Sequence, residues 1–448
     1  MADFDDRSSL GGRLSRLARV GGTAAGLATR FAAARLSGNY DANTTAAGLR
    51  EALGGLKGPV MKMAQILSTV PGAVPEDYAR ELAQLQANAP AMGWPFVKRR
   101  MAGELGPDWR TRFVDFTEQA VHAASLGQVH RGTLADGQAV AVKLQYPGMA
   151  SAVDADLDQL DWAMKAARAW DKSIDTSQIR DELADRLREE LDYALEAKHM
   201  ALFRAMLDST PGTHVPTSIP DLSTTRLLTM TWLPGEPLMN FKDAAQEVRN
   251  DLAVNLFHLW YVPLHRFGVI HGDPHLGNYT ARPDHSLNLL DFGCIRVFPP
   301  HFIAGVVNLY RSLRDGDEAL MVHAYEQWGF GGLSRGMLDT LNIWAKFLYR
   351  PILTDAVTTM ADESMDADFG RETAMHVHQE LKKQGTVTIP REFVFMDRAA
   401  IGLGGVFMRL RARANWHRMF EALIDEFSED GLAATQAEAL TGAELSGH

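Results

Sequence analysis

Two apolar periods alternate along this chain. Residues 40–101 repeat at helical spacing between the turn signals Gly54-Gly55, Gly58-Pro59, Pro71-Gly72 and Pro75. Inside that stretch residues 60–68, VMKMAQILS, predict an apolar helix on which Lys62 and Gln65 share a face at i, i+3. Two readings of the pair stand open: a snorkelling surface lysine, or a polar pair aimed at a partner or cleft. Near Phe113 the period changes to two. Residues 128–134 and 138–146 alternate on either side of Asp136-Gly137, a hairpin signal. In the second strand Val140, Val142 and Leu144 face one way and Ala141, Lys143 and Gln145 the other.

Helical spacing returns over residues 149–206, whose charged part holds Glu190, Asp192 and Glu196. Asp192 and Glu196 share a face at i, i+4, whereas Glu190 lies about 200° round a regular helix from Asp192. A strand over 226–232 breaks at Leu233-Pro234-Gly235-Glu236, where a chain crosses between lobes. Helices over 244–267 lead to a short apolar run, then a hairpin whose turn is Pro283-Asp284-His285-Ser286. Residues 301–427 read as mostly helical, with a loop near 360–368 and a break at Gly402-Leu403-Gly404-Gly405. The polar, small-residue-rich stretch 428–448 reads as a disordered tail.

The chemistry concentrates at residues 269–293. His271-Gly272-Asp273 ends an apolar run, and Asn278 follows five residues after Asp273. Such a loop places a carboxylate beside an attacking hydroxyl and an amide oxygen on a metal. Asp291-Phe292-Gly293 closes the second hairpin strand, and a carboxylate there suits a magnesium ion bridging nucleotide phosphates. Each residue alone is more often a turn cap or strand end; the spacing of the whole set argues for phosphoryl transfer. Upstream, Ala123, Ala124, Ser125 and Gly127 permit close backbone approach to phosphates, with less freedom than a run of glycines. Lys143 emerges on the less apolar strand face, either as a solvent-facing lysine or as a phosphate contact. In an N-lobe acid helix, Glu196 is placed to pair with it.

Composition narrows the classes. A length of 448 residues leaves room for about two to three domains. The net charge of -11 gives no footprint for nucleic acid, so that partner is set aside. The single cysteine, Cys294, permits no internal disulfide and points to a reducing, cytoplasmic setting. It reads as a small packed residue, with a reactive thiol the minority reading. The most apolar long stretch, 253–270, is interrupted by His258, His265 and Arg266, so a soluble or peripheral chain is expected. Between residues 13 and 36 five arginines stand without an acid. That segment is either an amphipathic helix on an anionic membrane surface or a flexible basic arm. The acidic opening, Asp3, Asp5 and Asp6, counts against a transit peptide.

These motifs resemble, over roughly residues 56–297, the UbiB/AarF family of atypical kinases linked to ubiquinone biosynthesis. Lys62-Met63-Ala64-Gln65 is similar to its KxGQ motif, with Ala64 where the family usually has Gly. HAASLGQVH from His122 is similar to its alanine-rich nucleotide loop, and VKLQYPG from Val142 to its lysine strand. Glu190-Leu191-Asp192 matches its ExD motif; HGDPHLGN and DFG match its catalytic loop and metal motif. The resemblance implies ATP and Mg2+ as cofactors, Lys143 with Glu196 positioning phosphates, Asp273 as catalytic carboxylate, and Asn278 and Asp291 as metal ligands. It also implies that the Lys62 helix folds over the cleft to meet Glu190 and Asp192, obstructing a peptide substrate. With Glu190 and Asp192 on one regular helix, a single strong contact to Lys62 is expected.

The expected architecture is α+β, a bilobal protein-kinase-like fold binding Mg-ATP between its lobes. It comprises a basic segment 1–37, a helical extension 38–112 bearing Lys62 and Gln65, an N-lobe 113–235, a helix-rich C-lobe 236–427 and the tail 428–448. The expected reaction moves the γ-phosphoryl group of ATP to water or a small-molecule or lipid-related acceptor, with quinone-biosynthesis proteins as partners the resemblance implies. Residues 294–309 hold no Ser or Thr, no APE motif follows, and HGD replaces HRD, so no activation-loop switch is expected. Two alternatives stay open: a nucleotide-sensing scaffold without useful turnover, and an aminoglycoside- or choline-kinase-type phosphotransferase, against which the Lys62 helix and the alanine-rich loop count.

Overall fold

The computed structural model describes residues 92–149, 187–360 and 391–446, except Ser125 and Gly331, together with Val153, Ala184 and Asp185. The basic segment 1–37 and Lys62, Ala64 and Gln65 lie outside the described residues. In chain order come helix α1 (Trp94–Leu105), strands β1 (Phe113–Phe116), β2 (His122–Ala124), β3 (Gly127–Leu134) and β4 (Ala139–Gln145), and helix α2 (Tyr193–Leu207). Strands β5 (Thr213–His214), β6 (Leu227–Thr231) and β7 (Glu236–Pro237) precede helix α3 (Gln246–Phe267). Strands β8 (Val269–His271), β9 (Tyr279–Ala281), β10 (Leu287–Leu289) and β11 (Ile295–Val297) follow. Helices α4 (Pro300–Asp315), α5 (Glu318–Gln327) and α6 (Arg335–Leu353), strand β12 (Thr358–Thr359) and helix α7 (Arg391–Leu410) come next. The chain closes with β13 (Arg413–Ala414), α8 (Trp416–Ile424) and α9 (Glu429–Gly442). Two compact units result: residues 1–195 with 219–232, and residues 196–218 with 233–448.

In the first unit β1, β3, β4 and β6 form an antiparallel sheet, with β2 paired to β3. The β3–β4 hairpin turns at Asp136-Gly137, where Gly137 takes φ +86°. Val140, Val142 and Leu144 are fully buried against Phe96, Val97 and Met101 of α1 and against Trp109, Phe113 and Phe116. The end of the 38–112 extension thus shares one core with the sheet. Ala141, Lys143 and Gln145, on the opposite face, are buried as well.

In the second unit β5, β10, β9 and β7 form one small sheet and β8 pairs with β11. Residues 196–218, expected with the N-lobe, group here because β5 pairs in parallel with β10 and because Leu202, Phe203 and Met206 are buried in this unit. The expected break at 402–405 is instead the interior of a continuous helix, α7. The expected disordered tail is the helix α9 from Glu429 to Gly442. Ser428 caps it through a hydrogen bond from Gly431 N, Glu429 and Asp430 favour its positive end, and its many alanines are strong helix formers. Leu432 is buried one turn before Gln436, whose amide donates to Phe267 O at 2.8 Å and Phe298 O at 2.9 Å. No helix among the described residues is long and apolar enough to cross a membrane.

Candidate active site

The small-residue stretch is built as a hairpin. Ala123 pairs with Gln128 and Ala124 with Gly127, and Leu126 lies at the tip; Ser125 is outside the described residues. A Cβ on Gly127 would overlap Leu144 O and stand 2.8 Å from Tyr193 Oη, so glycine is what lets this hairpin lie against β4. On β4, Lys143 sits opposite Val129 and Leu228. It is only 8% exposed and its ammonium lies 5.1 Å above the Tyr193 ring, a cation–π contact. Burial at this level rules out the solvent-facing reading, because a lysine is sequestered only where its charge meets partners.

The acidic motif has a shape the helical period did not foresee. Residues 187–190 are helical, Leu191 turns, and Asp192 stands outside both helices. Its Oδ1 accepts from Ala194 N at 3.0 Å and Leu195 N at 3.1 Å, which caps α2. Gln145 Nε2 donates to Leu191 O at 2.9 Å, tying this break to β4. Glu190 and Asp192 therefore do not share a regular helix, and the separation of about 200° does not apply to them.

Glu196, in the first turn of α2, is 2% exposed. In the second unit its Oε1 accepts from Phe292 N at 3.5 Å, while His199 Nδ1 meets Phe292 O at 3.1 Å. Helix α2 thus holds both backbone polar groups of Phe292 in the DFG segment.

The catalytic-loop residues close into a network. His271, 2% exposed, donates from Nε2 to Asp291 O at 2.5 Å and accepts at Nδ1 from Asp273 N at 3.3 Å. A carbonyl only accepts and an amide N–H only donates, so the ring carries its proton on Nε2. Asn278 Nδ2 donates to Asp273 O at 3.0 Å, and Asn278 O accepts from Leu290 N at 3.0 Å. Asp291 Oδ1 accepts from Gly293 N at 2.9 Å. His275 Nδ1 accepts from Gly277 N at 3.0 Å and fixes the short turn before Asn278. The expected residues Asp273, Asn278 and Asp291 are thereby brought onto one framework.

Two polar groups are left over among the described residues. Asn278 uses its amide nitrogen internally, and its Oδ1 has no hydrogen-bond partner among the described residues; the half-buried Asp273 carboxylate has none there either. Magnesium takes few protein ligands and completes its octahedron from water and phosphate oxygens. An amide oxygen on Asn278 and a carboxylate on Asp291 fit that demand. Among the described residues no group of three or more His, Cys, Asp or Glu would form a full protein cage.

Sequence reasoning missed His271 as the link between the two motifs, His275 as a cap and Pro274 as a packing partner of α7. Gly402 marks the last: a Cβ there would overlap Pro274 Cγ. The loop glycine carried a visible signal, since Gly272 N donates to Cys294 O at 2.6 Å and a Cβ would stand 2.8 Å from Cys294 Sγ. Cys294 is thus packed against the catalytic loop, as its small size suggested.

An antiparallel sheet with a buried lysine, followed by a helical unit bearing HGDxxxxN and DFG on one framework, defines the protein-kinase-like class. Residues 84–325 match the model of the ABC1 atypical kinase-like domain, and the chain belongs to that UbiB-type family. The mitochondrial atypical kinase COQ8 of Saccharomyces cerevisiae is 32% identical over 68% of this chain and 64% of its own length. COQ8B of Rattus norvegicus, also mitochondrial, is 30% identical over 68% of this chain and 61% of its own. The chain thus spans less than two thirds of these relatives. The Mycobacterium tuberculosis protein Rv3197, solved as a complex with erythromycin, superposes with a TM-score of 0.62 at 28% identity, covering 88% of this chain and 98% of that one.

Proposed function

We propose that this chain binds Mg-ATP and transfers its γ-phosphoryl group to water or a small molecule, in support of quinone or isoprenoid-lipid metabolism. The Asp273 carboxylate, without a hydrogen-bond partner among the described residues, carries the reading. A half-buried carboxylate held at its backbone by His271 and Asn278 yet left without a side-chain donor is poised to accept a proton from an attacking hydroxyl. Asn278 Oδ1 and Asp291 would hold the magnesium ion, which neutralises charge on the β- and γ-phosphates. Lys143 would meet the phosphates, with the hairpin 123–127 approaching them through its backbone. Glu196, by holding Phe292 N, would fix the DFG segment from which Asp291 projects. The metabolic setting and the acceptor class rest on the family and on the COQ8 relatives.

Phosphate release from Mg-ATP, with and without anionic liposomes, tests this against Asp273→Asn at matched nucleotide occupancy. A fall of about 10²- to 10⁴-fold with nucleotide binding retained is the expected result. Release that is equal in both proteins would remove Asp273 from the chemistry, and nucleotide binding with no release from wild type would favour a nucleotide sensor.

A further inference from the structure

The second unit contains a cavity of about 510 Å³, whose lining includes Ile270, just before the catalytic loop. Its wall is mainly aromatic and aliphatic, with Trp260, Trp328, Phe393, Phe407 and Phe420 among the lining residues. Protein interiors leave few voids larger than a water molecule, and this volume lies in the range of small-molecule sites, roughly 300–1,000 Å³. Asp273, Asn278 and Asp291 are not among its lining residues.

Two features separate this cavity from a packing defect. The first is a polar atom without a partner. His265 lines the cavity and is 3% exposed; its Nδ1 donates to Tyr261 O at 3.0 Å, and its Nε2 is buried with no hydrogen bond among the described residues. Because Nδ1 carries the proton to a carbonyl, Nε2 is an acceptor. Buried acceptors are almost always satisfied, and an orphan costs about 1–3 kcal/mol. Thr358 Oγ1, also on the wall, is a second orphan among the described residues. Burial pushes the His265 imidazole down to about 4, which keeps it an uncharged acceptor at neutral pH.

The second feature is a pair of glycines. Gly404 and Gly405 line the cavity inside α7, and a Cβ on either meets none of the described residues within 4 Å. A glycine in a helix interior costs up to about 1 kcal/mol relative to alanine. At these two positions no described neighbour requires the bare backbone; what it preserves is open volume.

We infer that this cavity binds a neutral, largely apolar alcohol whose hydroxyl donates to His265 Nε2. The ligand lies against the aromatic wall, and the hydroxyl supplies the interaction that His265 leaves unmade. This site does not depend on phosphoryl transfer, and its test reads binding alone.

The test titrates the full chain calorimetrically with decan-1-ol and with its methyl ether, which has the same chain and no donor. Wild type is expected to bind the alcohol about tenfold more tightly than the ether, as one hydrogen bond of about 1.4 kcal/mol allows. His265→Phe, which keeps an aromatic ring and removes the acceptor, should bind the two probes equally. Gly404→Leu, with Gly405→Leu as a second variant, should bind neither while showing a thermal midpoint no lower than that of wild type. Equal affinities of alcohol and ether for wild type, binding of neither within their solubility, or unchanged alcohol affinity in both leucine variants would overturn the inference.

Discussion

At the residue scale His271 carries more than its place in a short motif suggests. Its two ring nitrogens join Asp291 O to Asp273 N, so one side chain holds the proposed metal-binding motif and the proposed catalytic carboxylate in register. Replacement by alanine leaves a carbonyl and an amide unpaired in a half-buried place, at a cost toward the lower end of about 1–3 kcal/mol. His271→Ala is expected to lower Mg2+-dependent phosphate release by about 10- to 100-fold, the usual effect of losing a group that orients metal ligands. The assay belongs at a temperature where circular dichroism shows the variant folded; full activity in the folded variant would mean that the loop holds its shape without the ring. That Asp273, Asn278 and Asp291 come together on one framework was legible, because their spacing along the chain is short and fixed. Asp192 was only half legible: its period places it inside a helix, and it caps one instead. A capping carboxylate and a helix-surface carboxylate look alike in a periodic pattern, because the helix break at Leu191 carries neither Gly nor Pro.

At the scale of elements the same blindness explains the two differences in the C-terminal half. Gly402, Gly404 and Gly405 together look like a helix break, and α7 runs through them unbroken. Gly402 is required by a neighbour far away in sequence, Pro274, whereas Gly404 and Gly405 face open space among the described residues. The tail looks disordered from its small polar composition, yet its alanines, its Ser428 cap and the contact of Gln436 with two carbonyls fold it. By contrast the β3–β4 hairpin and the β9–β10 hairpin were legible, since their turns are written locally. Helix α7 offers a paired prediction with opposite signs. Gly404→Ala is expected to raise stability by up to about 1 kcal/mol through helix propensity. Gly402→Ala is expected to lower it by about 1–3 kcal/mol, the cost of overpacking, and to reduce phosphate release by displacing Pro274 beside Asp273. Urea titration of both proteins checks the pair, and shifts of the same sign would show that the α7–Pro274 contact yields to an added methyl group.

At the scale of the whole molecule, each unit buries histidine in a neutral form, and acid should therefore loosen the fold. In the first unit burial lowers the His130 pKa, with its hydrogen bond to Thr117 O opposing. In the second unit burial lowers His214 and His258, helped by Arg282 and Arg266 respectively, and takes His265 to about 4. The unfolded chain takes up protons on these rings near pH 6.5, where the folded chain refuses them. Above that pH the rings are neutral in both states and contribute no pH dependence. As pH falls from about 6.5 toward 4 the unfolded state binds more protons, so stability declines through that window. Each tenfold difference in proton affinity between the two states is worth about 1.4 kcal/mol, so His265 alone accounts for about 3 kcal/mol once the pH reaches its folded value. Thermal unfolding of wild type should therefore move to lower temperature between pH 7 and pH 5. His265→Phe, which has no proton to accept, should lose less over the same interval, with His130, His214 and His258 supplying the loss that remains. An identical loss in wild type and variant would mean that His265 takes up its proton as readily in the folded chain as in the unfolded one, and the orphan acceptor assigned to the cavity would then be protonated in mild acid.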